Sequence, residues 1–413
     1  MARLSAAVLL AFALSFTLAA DDWPQWRGPD RTGVSKETGL LKEWPKDGPP
    51  LRWKAEKIGG GYSTPAVANG KVYLQTTRGG DELAVALDEK TGKEEWATKV
   101  GGVGKNRGPQ YPGTRATPTI DGDRLYCLAS DGELACLGAD GKAKWRRNLA
   151  TDFGGAVGAW AYSESVLVDG GVVVCTPGGK TATLAALDKL TGKTVWESPV
   201  PGGDVADYAS VMAVDAAGGR EYVQFLRKGV VGVDAKTGKF LWRYDRSADQ
   251  GANILTPVVL GNKVFTAGSR SGGGLVELSP DAGGVKATEA YFDKALGSGI
   301  GGAVLVDGHL YGTTSQAMYC ADFATGKVKW TDRGVGAASV CYADGRVYAR
   351  GHAGDVALVE ATPAGYSEKG RFKQADHGKT PAWPHPVVAN GGLYLRDQTV
   401  LLCYDVRDPK AGK

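Results

Sequence analysis

The chain has 413 residues, of which 43% are hydrophobic, and 49 Lys and Arg residues against 45 Asp and Glu residues give a formal net charge of +4. This composition is typical of a globular protein, and the weak charge argues against a nucleic-acid binder, which would carry a pronounced basic surface. The 61 glycines are spread along the chain and therefore indicate many tight turns rather than disorder.

The N-terminus has the features of a secretory signal peptide. Arg3 precedes an apolar run over residues 4–18, and small residues favour cleavage near Ala19 or Ala20. A membrane anchor is the less favoured interpretation, because the run is short for a bilayer span. We therefore predict a signal peptide over 1–20 and a periplasmic or secreted protein. No transmembrane segment is expected after signal removal, and no cysteine near the cleavage site offers a lipid-attachment point.

A repeated phrase organises the rest of the chain. Residues 86–96 read Ala-Leu-Asp-Glu-Lys-Thr-Gly-Lys-Glu-Glu-Trp. The Asp favours a turn and the Gly can adopt a positive φ. Similar phrases, one of them a residue shorter, occupy 136–145, 186–196, 232–242 and 320–330. Such self-similarity at a regular spacing is typical of a repeat architecture.

The number of repeats can be counted independently from hairpin-type dipeptides, which lie between short apolar runs. They give eight units with a period of roughly 40–50 residues, which favours a propeller of four-stranded blades. The dipeptides are Asn69-Gly70, Asp121-Gly122, Asp169-Gly170, Gly218-Gly219, Gly261-Asn262, Asp307-Gly308, Asp344-Gly345 and Asn390-Gly391.

We predict an all-β, eight-bladed β-propeller over residues 51–405, with strands a to d in each antiparallel blade. The N-terminal strand around Trp53 is expected to join the last blade, since this removes open edges. Residues 21–50 should form an irregular segment packed on the propeller, and 406–413 a C-terminal tail. Tyr291 and Phe372 stand where two units lack a tryptophan. The tryptophans predicted to dock on strand d are Trp53, Trp96, Trp145, Trp196, Trp242 and Trp330.

Six cysteines occur in this exported chain. Pairing outward from the turn Asp131-Gly132 places Cys127 opposite Cys136. The sequence leaves open both a disulfide between them and two buried free thiols. No Cys-x-x-Cys pair occurs and the four histidines lack metal-ligand spacing, so we expect no metal site.

The pattern Ala-x-Asp-x-x-Thr-Gly-Lys-x-x-Trp is complete at Ala86–Trp96 and Ala186–Trp196. It resembles the tryptophan-docking motif of the pyrroloquinoline-quinone (PQQ) repeat superfamily, which has the quinoprotein alcohol dehydrogenase-like fold. The resemblance implies an eight-bladed propeller in which each tryptophan stacks between neighbouring blades. That superfamily includes PQQ-dependent dehydrogenases and non-enzymatic members such as BamB, a propeller lipoprotein of outer-membrane protein assembly.

The enzyme members carry an adjacent cysteine pair and a calcium site, and neither pattern is found in this sequence. We therefore expect no catalytic residue and no required cofactor. The leading interpretation is a monomeric, non-catalytic scaffold that binds a cell-envelope protein or a small anionic ligand, by resemblance BamB-like. The alternatives are a dehydrogenase of alcohols or sugars that uses PQQ and calcium, and a carbohydrate-binding propeller.

In a propeller, the b–c loops and the d–a connections open on one face around the central channel. Arginines that converge there would attract anions, although solvated turn arginines are the favoured alternative. For Glu164, a structural hydrogen-bonded carboxylate is favoured over a catalytic role. The ligand-binding candidates are Arg78, Arg227, Arg270, Arg350, Arg396, Trp160, Tyr162, Glu164 and Trp383.

Overall fold

The computed structural model describes residues 22–107, 111, 113–282 and 284–411, so the predicted signal peptide lies outside the described residues. Eight four-stranded antiparallel sheets follow one another along the chain. The prediction of an all-β, eight-bladed propeller is confirmed. Strand a of one blade contacts strand a of the next, so these strands surround the central channel and the d strands lie outermost.

The blades are numbered in chain order, and their strands are given from the centre outward. Blade 1 contains Ala66–Ala68, Lys71–Arg78, Asp81–Asp88 and Glu94–Gly102; blade 2 contains Thr119–Asp121, Arg124–Leu128, Glu133–Gly138 and Ala143–Asn148; blade 3 contains Leu167–Asp169, Val172–Cys175, Leu184–Asp188 and Thr194–Ser198; blade 4 contains Met212–Ala216, Gly219–Phe225, Val230–Asp234 and Phe240–Tyr244. Blade 5 contains Val258–Leu260, Lys263–Gly268, Gly272–Asp281 and Gly284–Asp293; blade 6 contains Ala303–Val306, His309–Thr313, Met318–Asp322 and Val328–Asp332; blade 7 contains Ala338–Ala343, Arg346–Gly351, Asp355–Glu360 and Glu368–Lys373; blade 8 contains Val387–Ala389, Gly392–Asp397, Val400–Asp405 and Leu51–Ala55. The helices of the described residues are an α-helical turn, Leu149–Asp152, and a 3-10 turn, Lys294–Leu296.

Blade 8 joins the two ends of the chain. The strand Leu51–Ala55 pairs antiparallel with Val400–Asp405, and Trp53 lies opposite Cys403. This confirms the predicted closure. Backbone hydrogen bonds within blade 8 therefore join the N-terminal strand to the C-terminal strands, and the ring cannot open without the loss of that strand pairing.

Neighbouring blades are joined by a tryptophan on strand d. In blade 1, Tyr73, Ala86 and Trp96 lie opposite one another on strands b, c and d. The indole Nε1 of Trp96 donates to the Ala139 carbonyl in the c–d turn of blade 2 at 3.2 Å. A Cβ on Gly141 of that turn would lie 2.9 Å from the indole ring, so the glycine permits the close approach. Equivalent bonds join Trp53 to Glu89, Trp145 to Lys189, Trp196 to Ala235 and Trp330 to Thr362, at 2.8, 3.0, 3.1 and 2.8 Å.

The contact changes around blade 5, whose c–d hairpin lacks the repeated phrase. Trp242 donates instead to the Glu221 carboxylate within its own blade, at 2.7 Å. Tyr291 of blade 5 takes the tryptophan position towards blade 6, because its hydroxyl donates to the Phe323 carbonyl at 3.0 Å. Its ring covers Gly326, just as the indoles cover their turn glycines.

In blade 7, Phe372 makes the docking contact expected there: a Cβ on Gly48, the positive-φ glycine before strand d of blade 8, would lie 2.6 Å from the Phe372 ring. Phe372 does not, however, occupy the register position that the tryptophan has in the other blades. A register shift on strand d puts Gly370 opposite Leu358 at that position. The space over Gly370 is filled by Trp44 of the N-terminal segment, whose ring centroid lies 5.7 Å from that of Tyr348 and 5.3 Å from that of Phe372. A Cβ on Gly370 would lie 2.6 Å from the Trp44 side chain. A distant segment thus completes the repeat.

The predicted register of the blade 2 hairpin, which placed Cys127 opposite Cys136, is wrong. The arrangement that would have allowed a disulfide between them is therefore absent from this hairpin. Cys127 lies opposite Ala135, and Cys136 lies opposite Tyr126. The turn ends at Gly132, whose φ of 97° adds a third residue to it. A shift of one residue turns a side chain to the other face of a sheet, so the two thiols diverge. All six cysteines are buried free thiols.

The N-terminal segment, residues 22–50, begins among the innermost strands and extends to the outer strand of blade 7, where the Trp44 amide donates to the Lys369 carbonyl at 2.9 Å. Trp23 forms a backbone bridge with Val67 of blade 1, and the Arg31 guanidinium donates to the Ser165 carbonyl beside blade 3 at 2.7 Å. Further hydrogen bonds join Pro24 to Ile120 of blade 2, Arg27 to Ala303 of blade 6 and Ser35 to Tyr342 of blade 7. The segment therefore contacts several blades at once.

The substitution Gly192→Ala should destabilise the protein by about 2 kcal/mol. The backbone of residue 192 has a φ of 72°, which is unfavourable for alanine, and the new methyl group would lie 2.8 Å from the Trp145 ring. The control Gly171→Ala has no atom within 4 Å of its new methyl group and should change the free energy of unfolding by less than about 0.5 kcal/mol. Urea unfolding measures both values. Equal effects would contradict the docking role of this turn.

Removal of the Trp44 indole should cost about 3 kcal/mol, because the substitution Trp44→Ala leaves a cavity against Tyr348. The control Leu51→Ala truncates a side chain that is 48% exposed and should have a small effect. If urea unfolding shows no loss for the Trp44 variant, the N-terminal segment does not complete blade 7.

Candidate functional site

A cavity of about 510 Å³ opens on the propeller axis, and we call it the axial funnel. Its wall comes mainly from the d–a connections, which precede the innermost strands, and from several b–c loops. The aromatic part of the described lining consists of Trp26, Tyr62, Tyr111, Trp160, Tyr208, Trp383 and the imidazoles of His352 and His385.

The N-terminal segment forms the floor of the axial funnel. The Trp26 indole donates to the Thr256 hydroxyl at 2.9 Å, and its ring centroid lies 4.6 Å from that of His385. The next residue, Arg27, is buried and donates to the Ala303 carbonyl. The channel is therefore blocked below Trp26, and the funnel is open at one end.

Two groups of aromatic rings line the wall. The Trp383 ring centroid lies 4.8 Å from that of Tyr62 and 4.7 Å from that of Tyr111. The second group pairs Trp160 with Tyr208 at 5.6 Å. These rings offer broad apolar faces suited to a flat ligand.

Arg115 is the one cationic side chain of Lys or Arg type in the described lining. Its guanidinium donates to the carbonyls of Gly113 and Trp160 at 3.3 and 3.2 Å and lies 5.7 Å from the Tyr62 ring centroid. Burial lowers the pKa of Arg115 from the usual value of 12.5. An arginine guanidinium in a protein nevertheless carries its proton at neutral pH. The described lining contains no Asp or Glu.

The two histidines of the funnel are neutral near pH 7. Burial, together with the nearby charges of Arg27 and Arg350, lowers the pKa of His385 to about 3. Burial also lowers the pKa of His352. A neutral imidazole can donate one hydrogen bond and accept another.

Three buried carboxyl groups lie behind the funnel wall, and burial raises the pKa of each to about 7. Glu82 accepts a hydrogen bond from the Ser130 amide at 2.7 Å. Glu164 accepts one from the Thr176 amide at 2.6 Å. Asp207 pairs with Arg227 at 3.3 Å. These contacts hold the loops that carry the funnel wall.

The predicted arginines lie elsewhere. Arg396 is buried between blades 8 and 1, where it donates to the carbonyls of Ser63 and Gly60 at 3.2 and 3.1 Å. Arg350 is buried as well, and it donates to the Pro384 carbonyl at 3.0 Å and pairs with Asp397 at 3.3 Å. Both therefore fix d–a connections through backbone carbonyls.

The other three predicted arginines are also outside the described lining of the funnel. Arg78 donates to the Ile58 carbonyl and pairs with Glu94. Arg227 pairs with Asp207, and the side chain of Arg270 is exposed. Arg227 and Arg270 lie in b–c loops, as predicted. The placement of Arg78, Arg350 and Arg396 in such loops is wrong, because these three lie within strand b of their blades. The sequence also could not show the direction of the side chains.

The remaining predicted residues are divided between the wall and its support. Trp160 and Trp383 line the funnel. Tyr162 is buried and donates to the Pro177 carbonyl at 2.9 Å, and Glu164 is buried behind the wall. Sequence reasoning missed Arg115, although its place shortly before strand a of blade 2 was an available signal.

Calcium-bound PQQ does not fit the described residues. Calcium takes six to eight oxygen ligands, usually with several carboxylates. No group of three or more His, Cys, Asp or Glu side chains that could hold a metal occurs in the described ranges. The aromatic wall could stack on a flat quinone, but the donor set for its metal is missing, so no reaction step is derived through this cofactor.

A family model described as outer membrane protein assembly factor BamB matches residues 29–159 and 80–332, which together cover more than half of the chain. The chain belongs to this BamB family. A curated relative, BamB from Burkholderia pseudomallei strain K96243, is 29% identical over 240 residues, covering 49% of this chain and 61% of the relative. The chain thus matches about three fifths of that relative's length.

Solved structures share the fold of this BamB-family chain. BamB from Moraxella catarrhalis superimposes with a TM-score of 0.57 at 18% identity, covering 83% of this chain and 94% of that one. Quinohemoprotein alcohol dehydrogenase ADHIIG from Pseudomonas putida HK5 gives 0.65 at 13% identity, covering 94% and 80%. At these identities the likeness shows the fold alone. Within the described residues, no helix is long and apolar enough to cross a membrane.

The substitution Glu82→Gln should stabilise this BamB-family propeller more at pH 8 than at pH 5. Since the folded pKa of about 7 lies above the usual 4.5, the stability that the neutral carboxyl contributes is present below pH 4.5 and lost as the pH rises through 7. The amide keeps an acceptor for the Ser130 N–H and carries no charge. We expect the substitution to raise the free energy of unfolding by about 2 kcal/mol more at pH 8 than at pH 5, as measured by urea unfolding. A pH-independent effect would contradict it.

Proposed function

We propose that this BamB-family chain is a non-catalytic scaffold of the cell envelope that binds proteins of outer-membrane assembly. The observation that carries the proposal is the family match over residues 29–332. The relatives named BamB are described as outer membrane protein assembly factors, and the role comes to this chain through that kinship.

The architecture suits a scaffold. The ring is closed by the Leu51–Ala55 strand, and the N-terminal segment ties the inner strands together, so the loops are displayed on a rigid frame. Rigid presentation lowers the entropy cost of protein association. The dehydrogenase alternative would need a metal donor set that the described residues do not bring together.

The proposal includes export by the predicted signal peptide over residues 1–20. In a deletion strain of the source bacterium, loss of this protein should reduce the folded fraction of outer-membrane β-barrel proteins at least twofold. Expression of the full chain should restore that fraction. Heat-modifiable mobility of the barrel proteins on gels measures it.

Two matched variants sharpen this experiment. A chain that lacks residues 1–20 keeps the propeller but stays in the cytoplasm, so it should not restore assembly. The variant Trp383→Ala alters the funnel wall and should restore it, because the proposed scaffold role assigns no partner contact to the inside of the funnel. Unchanged barrel assembly in the deletion strain would sink the proposal.

A further inference from the structure

We propose that the axial funnel is a binding site for a small aromatic carboxylic acid, a molecule with a flat apolar body and a single carboxylate. This site is separate from the proposed scaffold role and does not depend on it. The inference rests on the shape of the cavity, the chemistry of its wall and the balance of charge around it.

The shape fits a small molecule. A volume of about 510 Å³ lies within the roughly 300–1,000 Å³ that is typical of small-molecule pockets. Because Trp26 closes the floor, a ligand that enters would be surrounded on all sides except the mouth. An extended chain could not thread through the ring.

The wall selects a flat apolar body. Trp383 packs with Tyr62 on one part of the wall, and Trp160 packs with Tyr208 on another. Apart from these rings the described lining contains the aliphatic side chains of Ile254 and Ile300 and small side chains, six of which are serine or threonine. A flat ring system would bury apolar surface against the aromatic faces.

The charges around the funnel favour an anionic ligand. The hydrogen bonds of Arg115 with described residues go to carbonyl groups, so no described carboxylate neutralises it. The acid that acts on its charge, Glu82, is itself bonded to Ser130 behind the wall. Arg27 and Arg31 are buried below the floor and donate to carbonyl oxygens. Fixed positive charge in a concave, poorly solvated site attracts an anion.

One carboxylate, rather than several, matches this set. Arg115 offers a single guanidinium, and a guanidinium recognises one carboxylate through charge-assisted hydrogen bonds. Serine hydroxyls at Ser163 and Ser210 also line the funnel and can supply a further donor. A multiply charged acid would need additional cations or a metal.

The test is calorimetric titration of the purified mature protein with 2-naphthoate and with its neutral isostere 2-naphthamide. We expect the acid to bind at least tenfold more tightly than the amide. The variant Arg115→Gln should remove that preference by weakening naphthoate binding about tenfold. The matched control Arg270→Gln removes an exposed arginine from a nearby loop and should leave both affinities unchanged.

Two further variants distinguish the contribution of the aromatic wall to binding from the contribution of the Arg115 charge. Trp383→Ala should weaken naphthoate and naphthamide alike, while Arg115→Lys should retain part of the preference for the acid. Thermal unfolding of each variant identifies those that fold like the parent protein, and affinities are compared only among these. Equal affinity for the acid and the amide, or unchanged acid binding in the Arg115→Gln protein, would overturn the proposal. So would binding of PQQ with calcium in the absence of any naphthoate binding. Barrel assembly in the deletion strain is read out independently, so the two proposals can fail separately.

Discussion

The structure depends on one contact between neighbouring blades: an indole that reaches across to the c–d turn of the next blade. The contact needs a small residue on strand c, an aromatic ring on strand d and a glycine in the receiving turn, as with Ala86, Trp96 and Gly141. Each blade has only four strands and buries its faces against its neighbours, so stability is shared around the ring. Where the receiving turn is absent, the tryptophan turns inward to Glu221 instead.

The N-terminal segment extends this aromatic packing to two places that the repeats leave unfilled. Trp44 packs on Tyr348 of blade 7 over Gly370, and Trp26 blocks the central channel beside His385. Residues 22–50 are therefore part of the propeller in energetic terms, although they contain no regular strand. A segment that contacts several blades also resists their separation, which supports the rigid display on which the proposed scaffold function relies.

Several buried charged side chains hold the loops of the funnel wall in place, although they do not themselves belong to the described lining. Arg350 and Arg396 end on backbone carbonyls of the d–a connections, and Glu82 and Glu164 hold loop amides. These groups fix the positions from which the aromatic rings line the axial funnel. Arg350 and Arg396, which were expected to attract anions, are in this supporting layer, and Arg115 is the arginine of the described funnel lining.

The sequence by itself determined the number of blades, the strand order and the ring closure, because these follow from local turn chemistry repeated at a regular spacing. It also placed Trp160 and Trp383 on the loop face, since a d–a connection can be recognised from its flanking strands. Only the tertiary structure decided which side chains converge. The register of the Cys127 hairpin depended on a three-residue turn, and the packing of Trp44 over Gly370 depended on a contact between residues several hundred positions apart. Side-chain direction is set by neighbouring blades, on which local sequence carries no information.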